Sequence, residues 1–203
     1  MLNVTGTTNN YGAIEISYGQ TFRQDGPMHN HGAISFWDGD VNVLEEFTAT
    51  FYGHVQGEGD FPGPGTVVFL GGYSPGDSPA EVFFGGDLKL DGTLTMELGG
   101  TTPGDQYDVL HVADVLTLAG TLEVELIEDF TPQAGHIFDI LDWRDLEGTF
   151  NTIELPALQS GLTWDDSSLY SNGQIQVVPE PSTFALAALG LLGLAFCGRR
   201  RKR

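Results

Sequence analysis

Leu88 to Leu98 reads L-K-L-D-G-T-L-T-M-E-L, and Leu116 to Leu126 reads L-T-L-A-G-T-L-E-V-E-L. The two stretches are offset by 28 residues and share seven of eleven positions. Their apolar residues alternate: Leu116, Leu118, Leu122, Val124 and Leu126 share one parity, with Gly120-Thr121 between them. A period of two puts successive side chains on opposite faces, so it specifies strands buried on one side. The same offset relates L-G-G-Y-S-P-G-D (Leu70 to Asp77) to L-G-G-T-T-P-G-D (Leu98 to Asp105), with six of eight identical. A degenerate third copy follows, in which Phe138-Asp139-Ile140-Leu141 echoes Tyr107-Asp108-Val109-Leu110. The units then run near 66–93, 94–121 and 122–150.

Upstream the period is shorter. N-Y-G-A-I-E-I (Asn10 to Ile16) matches N-H-G-A-I-S-F (Asn30 to Phe36) at an offset of 20. No segment before the C-terminal tail offers a helical stripe. Short strands, glycine turns and periods of 20 to 28 residues fit the stacked coils of a parallel β-helix, with inward Leu, Ile and Val one above another at about 4.8 Å. Gly92 and Gly120 are expected at the same corner of successive coils, where a residue able to take φ > 0 is useful. The alternative is an antiparallel β-sandwich, for which Asp91-Gly92 would be a hairpin turn. Beyond residue 150 the repeat dissolves into short strands, with Ser171-Asn172-Gly173-Gln174 as a hairpin turn. Trp143, Phe150, Trp164 and Tyr170 are candidates to cover the open end of the stack.

The last 25 residues differ in kind. Val178 to Thr183 reads V-P-E-P-S-T, an apolar run follows from Phe184 to Cys197, and the chain closes on Arg199, Arg200, Arg201, Lys202 and Arg203. Two prolines remove backbone donors and end a strand. The run of 14 to 16 uncharged residues spans about 21–24 Å as a helix, short of a hydrocarbon core of about 30 Å. The five terminal cations favour the cytoplasmic side of a bilayer. With Pro179, Glu180 and Pro181 at its head, the tail resembles the PEP-CTERM sorting signal of exopolysaccharide-producing Gram-negative bacteria. That resemblance implies handling by an exosortase, a transpeptidase-like membrane enzyme, with processing near the tripeptide. It also implies a transient inner-membrane anchor carried by Phe184, Leu186, Leu189, Leu191, Leu192, Leu194 and Phe196.

Composition bounds the rest. The chain has 203 residues and a formal charge of −20. Outside the tail, 27 acids face three bases, Arg23, Lys89 and Arg144, a balance of −24. Phosphate binding needs the opposite sign, which excludes nucleic acid as a partner. The single cysteine, Cys197, lies in the apolar run, where it serves as filler. No intrachain disulfide can form, so an exported body must rely on its core or on repeated backbone pairing. Met1 to Gly6 lacks the cationic start and apolar core of a secretory signal, so the chain reads as the C-terminal part of a longer exported protein.

Among the motifs that mark catalysis, no P-loop, C-x-x-C or H-E-x-x-H is present. His29 and His31 share one strand face, without a third ligand nearby in sequence. Asp38-Gly39-Asp40, Glu58-Gly59-Asp60 and Asp165-Asp166 offer the oxygen ligands calcium favours, but the G-G-x-G-x-D calcium repeat is absent, so solvated turn carboxylates are the plainer reading. Trp37, Phe51, Tyr52, Tyr73 and Phe84 could stack on sugars where exposed.

The pieces S-P-G-D, Y-D-V-L-H-V and L-A-G-T-L-E-V resemble bacterial surface β-solenoids related to autotransporter passengers. The expected chain is therefore all-β. It has solenoid repeats over 1–150, a β-hairpin cap over 151–178, and a sorting signal with one transmembrane helix over 179–203. The expected function is that of a structural or adhesive protein of the cell surface or exopolysaccharide matrix, without catalytic activity or cofactor. Its expected partners are an exosortase, the membrane and the exopolysaccharide. The alternative function is a carbohydrate-active enzyme on the same scaffold.

Overall fold

The computed structural model describes residues 2–12, 14–17, 21–25, 28–30, 34–37, 40–44, 47–76 and 79–181. Strands run parallel in three groups. The first holds β1 (Leu2–Thr5), β4 (Thr21–Asp25) and β7 (Asp40–Val43). The second holds β2 (Thr8–Asn10), β5 (Met28–Asn30), β8 (Thr48–Phe51), β10 (Thr66–Phe69), β13 (Leu88–Leu90), β15 (Val109–Leu118) and β18 (Leu141–Gly148). The third holds β3 (Ile14–Ser17), β6 (Ile34–Trp37), β9 (Val55–Gly57), β11 (Gly72–Pro75), β14 (Thr93–Leu98), β16 (Thr121–Leu126) and β19 (Thr152–Glu154). A further strand, β12 (Glu81–Phe84), pairs with the first half of β15. In the second and third groups each strand lies beside the one contributed by the next circuit of the chain.

Leu88 stands opposite Leu116 and Leu94 opposite Leu122, as the repeat requires. The antiparallel alternative is excluded at its own turn, because Asp91-Gly92 joins β13 to β14, two strands of different sheets. The period itself is not constant. One column of the third sheet runs Ile14, Ile34, Val55, Tyr73, Leu94, Leu122, Ile153, with steps of 20, 21, 18, 21, 28 and 31 residues. The units expected at 66–93, 94–121 and 122–150 therefore hold for a single step. The strands range from three residues in β13 to ten in β15, and the longer steps place their extra residues in the connections from β14 to β15 and from β16 to β18. The matched L-G-G-x-x-P-G-D stretches are not equivalent either: Leu70 follows β10 and is exposed, whereas Leu98 closes β14 and is buried.

Inward residues form one continuous core. Its middle is aromatic. The rings of Phe69 and Tyr73 stack at 4.3 Å, those of Phe61 and Phe84 at 4.7 Å, and the two pairs meet edge to face. Offset and edge-on packing of this kind adds about 0.5–1.5 kcal/mol per pair beyond burial.

The corner between the second and third sheets is built from glycine. A Cβ on Gly71 would meet the Gly53 carbonyl oxygen at 2.4 Å, and one on Gly120 would meet that of Gly92 at 1.8 Å. A Cβ on Gly92 would collide with the Gly71 carbonyl in the same way. Gly92 and Gly120 thus share a corner, as expected, but for a different reason. Neither has a positive φ; the requirement is close approach of one circuit's backbone to the next. Beside this corner, Asn10 Nδ2 donates to Asn30 Oδ1 at 2.5 Å, and Asn30 is fully buried. That ladder accounts for the asparagines of the 20-residue repeat.

Parallel pairing persists to Glu154, in β19. Beside the parallel strands is a small antiparallel sheet in the order β17 (Ile137–Asp139), β21 (Gln174–Pro179), β20 (Leu162–Asp165), whose first strand precedes β18 in the chain. Ser171–Gln174 is not a hairpin turn. The short helix α1 (Leu169–Asn172) occupies the connection and ends on Gly173 at φ 71°. Asparagine-glycine suits both turn and helix end, because both need a left-handed residue. Phe150 is buried, and Trp143, Trp164 and Tyr170 pack against the core. Trp164 Nε1 donates to the Pro156 carbonyl at 2.8 Å, and its ring lies 5.9 Å from that of Phe138.

Candidate functional site

Two places combine exposure with specific chemistry. The first is the exit of β21. Ile175 and Val177 are buried, while Pro179, Glu180 and Pro181 are exposed. Pro179 pairs with Leu162 at the end of the ladder, and the Glu180 N–H donates to the Gly161 carbonyl at 2.9 Å. Proline has no N–H to give, so a strand carrying it ends or lies at an edge. The tripeptide is thus held at its start by the sheet and presented to solvent. Phe184, Leu186, Leu189, Leu191, Leu192, Leu194, Phe196, Cys197 and the basic residues Arg199, Arg200, Arg201, Lys202 and Arg203 lie outside the described residues. Among the described residues no helix is long and apolar enough to cross a membrane.

The second place is on the outer surface of β12, β15 and β18. Phe83, His111 and Asp142 occupy one register across these three strands. The Phe83 and His111 rings stack at 4.7 Å, nearly parallel at 11°. His111 Nε2 lies 2.7 Å from Glu81 Oε1, and His111 Nδ1 lies 3.3 Å from Asp142 Oδ2. A neutral imidazole can donate to only one of these carboxylates; an imidazolium satisfies both. Just beyond, β15 places Ala113 and Asp114 against the single residue Arg144 of β18, a β-bulge. Bulges bend a strand and re-aim its side chains. Here the bulge borders a cavity of about 230 Å³ lined by Phe83, Gly85, His111, Ala113 and Asp142. A second cavity of about 250 Å³ shares His111 and Asp142 and reaches Asp139 and Asn172. Arg144 is engaged by Asp114 and Asp145.

One more ionisable group is unusual. Asp108 is fully buried, accepting from the Ala80 N–H at 2.8 Å and the Glu97 N–H at 2.7 Å. Burial pushes its carboxyl up to about 8, against the pull of those two donors, which favour the charged form. Beneath it in the core, the Tyr73 hydroxyl is buried without a hydrogen-bond partner, and burial raises it too.

The candidates from sequence disperse. His29 lies in β5 with its ring 6.3 Å from that of Tyr52; His31 and Asp38 lie outside the described residues. Asp60 accepts the Phe83 N–H at 2.9 Å, and Asp165 accepts the Ser167 N–H at 3.0 Å, which with the Ser167 side chain lowers the Asp165 carboxyl. Both act within the fold, as turn carboxylates do. Among the described residues no three His, Cys, Asp or Glu groups are placed to hold a metal ion. Phe51, Tyr73 and Phe84 are core; Tyr52 is exposed. The His111 cluster was missed. The 28-residue offset relates Phe83 to His111, and the degenerate copy, offset by 31, relates His111 to Asp142; neither offset singles these outward residues out from others on the same strands.

Residues 177–202 match the family model of the PEP-CTERM protein-sorting motif. The match starts inside β21, so body and signal share the last strand. It implies export and membrane-associated sorting by an exosortase, a membrane enzyme. Neither a curated protein nor a solved structure matches the chain.

Proposed function

We propose that this chain is a non-catalytic structural protein of the cell surface or exopolysaccharide matrix. In this reading a β-solenoid body, of the kind seen in bacterial surface proteins, is carried outward and sorted through its C-terminal signal. The carrying observation is the junction: Val177 is buried in the body while Pro179, Glu180 and Pro181, two to four residues on, stand exposed. A sorting enzyme can reach the tripeptide without unfolding the sheet behind it. The stacked parallel strands support a stalk, because each circuit contacts its neighbours and length grows without a new core. The uncharged apolar run at residues 184–197, expected from the sequence to anchor the protein in the membrane, supports the reading.

The test is expression behind a secretory signal in a host that has an exosortase, with fractionation of membrane, periplasm and medium. Wild type should be processed and released to the surface or matrix. Glu180→Ala with Pro181→Ala should leave unprocessed protein in the inner membrane. Processing of the double variant at the wild-type rate would overturn the reading.

The second reading, a carbohydrate-active enzyme, draws on Glu81 and Asp142 flanking His111. It would be favoured by release of short saccharides from a polysaccharide by wild type but not by Glu81→Gln.

A further inference from the structure

We propose that the two cavities meeting at His111 form a binding site for a neutral saccharide, with the Phe83 ring as its stacking face. Phe83 is 47% exposed, high for a phenylalanine in a strand. It is not loose: its ring lies flat on His111, and His111 is fixed between Glu81 and Asp142. A rigid aromatic face binds with little loss of side-chain freedom. The two cavities, about 230 and 250 Å³, share a wall and together reach the volume of a small-molecule cleft.

The chemistry narrows the occupant. Glu81 and Asp142 are 46% and 74% exposed at their side chains, and each gives one oxygen to His111. The second Asp142 oxygen, in the wall of both cavities, accepts hydrogen bonds and cannot donate them, so the ligand must supply donors. Asp139 adds a third carboxylate, and the nearby cation, Arg144, is taken up by Asp114 and Asp145. An anionic ligand would therefore be repelled. A purely apolar one would leave the carboxylates to be desolvated without partners. A pyranose ring answers both demands: C–H groups on one face for Phe83, hydroxyls at the edge for the carboxylates.

The biological setting of this site rests on the reading of the chain as an exported matrix protein, but binding and sorting are measured separately. Calorimetric titration of the full chain, held in a zwitterionic detergent without sugar headgroups, would use cellotetraose as the neutral probe and a tetragalacturonate as the anionic one. Wild type should bind cellotetraose and reject tetragalacturonate. Phe83→Ala should weaken binding roughly tenfold, the effect of losing one stacking face. Tyr52→Ala, at an exposed aromatic elsewhere, should leave it unchanged. Because Phe83 is a surface residue, an unaltered melting temperature would show that the fold is retained. Absence of cellotetraose binding, equal binding by Phe83→Ala, or preference for the anionic probe would each overturn the proposal. Those outcomes leave the fractionation result untouched, so the two readings fail independently.

Discussion

Single residues set how closely the circuits stack. Gly120→Ala should destabilise by roughly 1–3 kcal/mol, because its Cβ would fall on the backbone of Gly92 rather than on a side chain that could yield. Thr117→Ala, at a half-buried outward position in the same circuit, should lose far less; denaturant midpoints of the two would check this. The glycines were legible from the repeat, but their reason was not. A sequence shows that a side chain is missing, not whether φ or crowding forbids it. Asp108 makes a second case. Its folded carboxyl titrates near 8 and its unfolded one near 4, so the folded state holds a proton that the unfolded state releases between those values. The stability from this group is complete below about pH 4 and fades as pH rises to about 8. Asp108→Asn mimics the protonated form. Relative to wild type, its urea midpoint should improve between pH 5 and pH 8.5, and a constant difference would contradict the burial argument. Nothing in the sequence separated Asp108 from Asp139 of the degenerate copy, which is exposed.

At the level of strands, alternation was a reliable guide. Leu116, Leu118, Leu122 and Val124 are all buried, because a period of two leaves a strand one inward face. Circuit length was legible only where stretches repeat, at offsets of 20, 28 and 31; the steps of 21 and 18 left no matched stretch, since loops between strands can change length while register is preserved. The Phe83–His111–Asp142 row was hidden for another reason: alternation marks the inward residues and says nothing of which outward ones make contact. The terminal strand β21 offers a sharper test. Ile175 and Val177 point into the core between two partners. Val177→Asp buries a charge without a counter-ion and should cost several kcal/mol, whereas Val178→Asp, on the half-buried side, should cost under about 1. Thermal melts of the two variants would distinguish them. Equal losses would mean that β21 does not anchor the cover.

Across the whole molecule, the sorting motif was the most legible part, because a proline-flanked glutamate, an uncharged apolar run and a cationic end stand together within residues 177–202. Deleting residues 179–203 should convert a membrane-retained protein into a soluble exported one when a secretory signal is supplied. Continued pelleting of the truncated protein with membranes would show that the body itself binds lipid. The C-terminal hairpin was anticipated in its antiparallel pairing but not in its turn, since one Asn-Gly pair fits a tight turn and a helix end alike. The position of β21 has a mechanical meaning. It lies between β17 and β20, antiparallel to both, and leads directly to Pro181. Tension applied through the tail is therefore delivered along the strand axis, so two hydrogen-bond ladders must slide together instead of opening one bond at a time. Load on the tail would be borne by both ladders in shear and passed through β17, which leads straight into β18, to the parallel strands beyond.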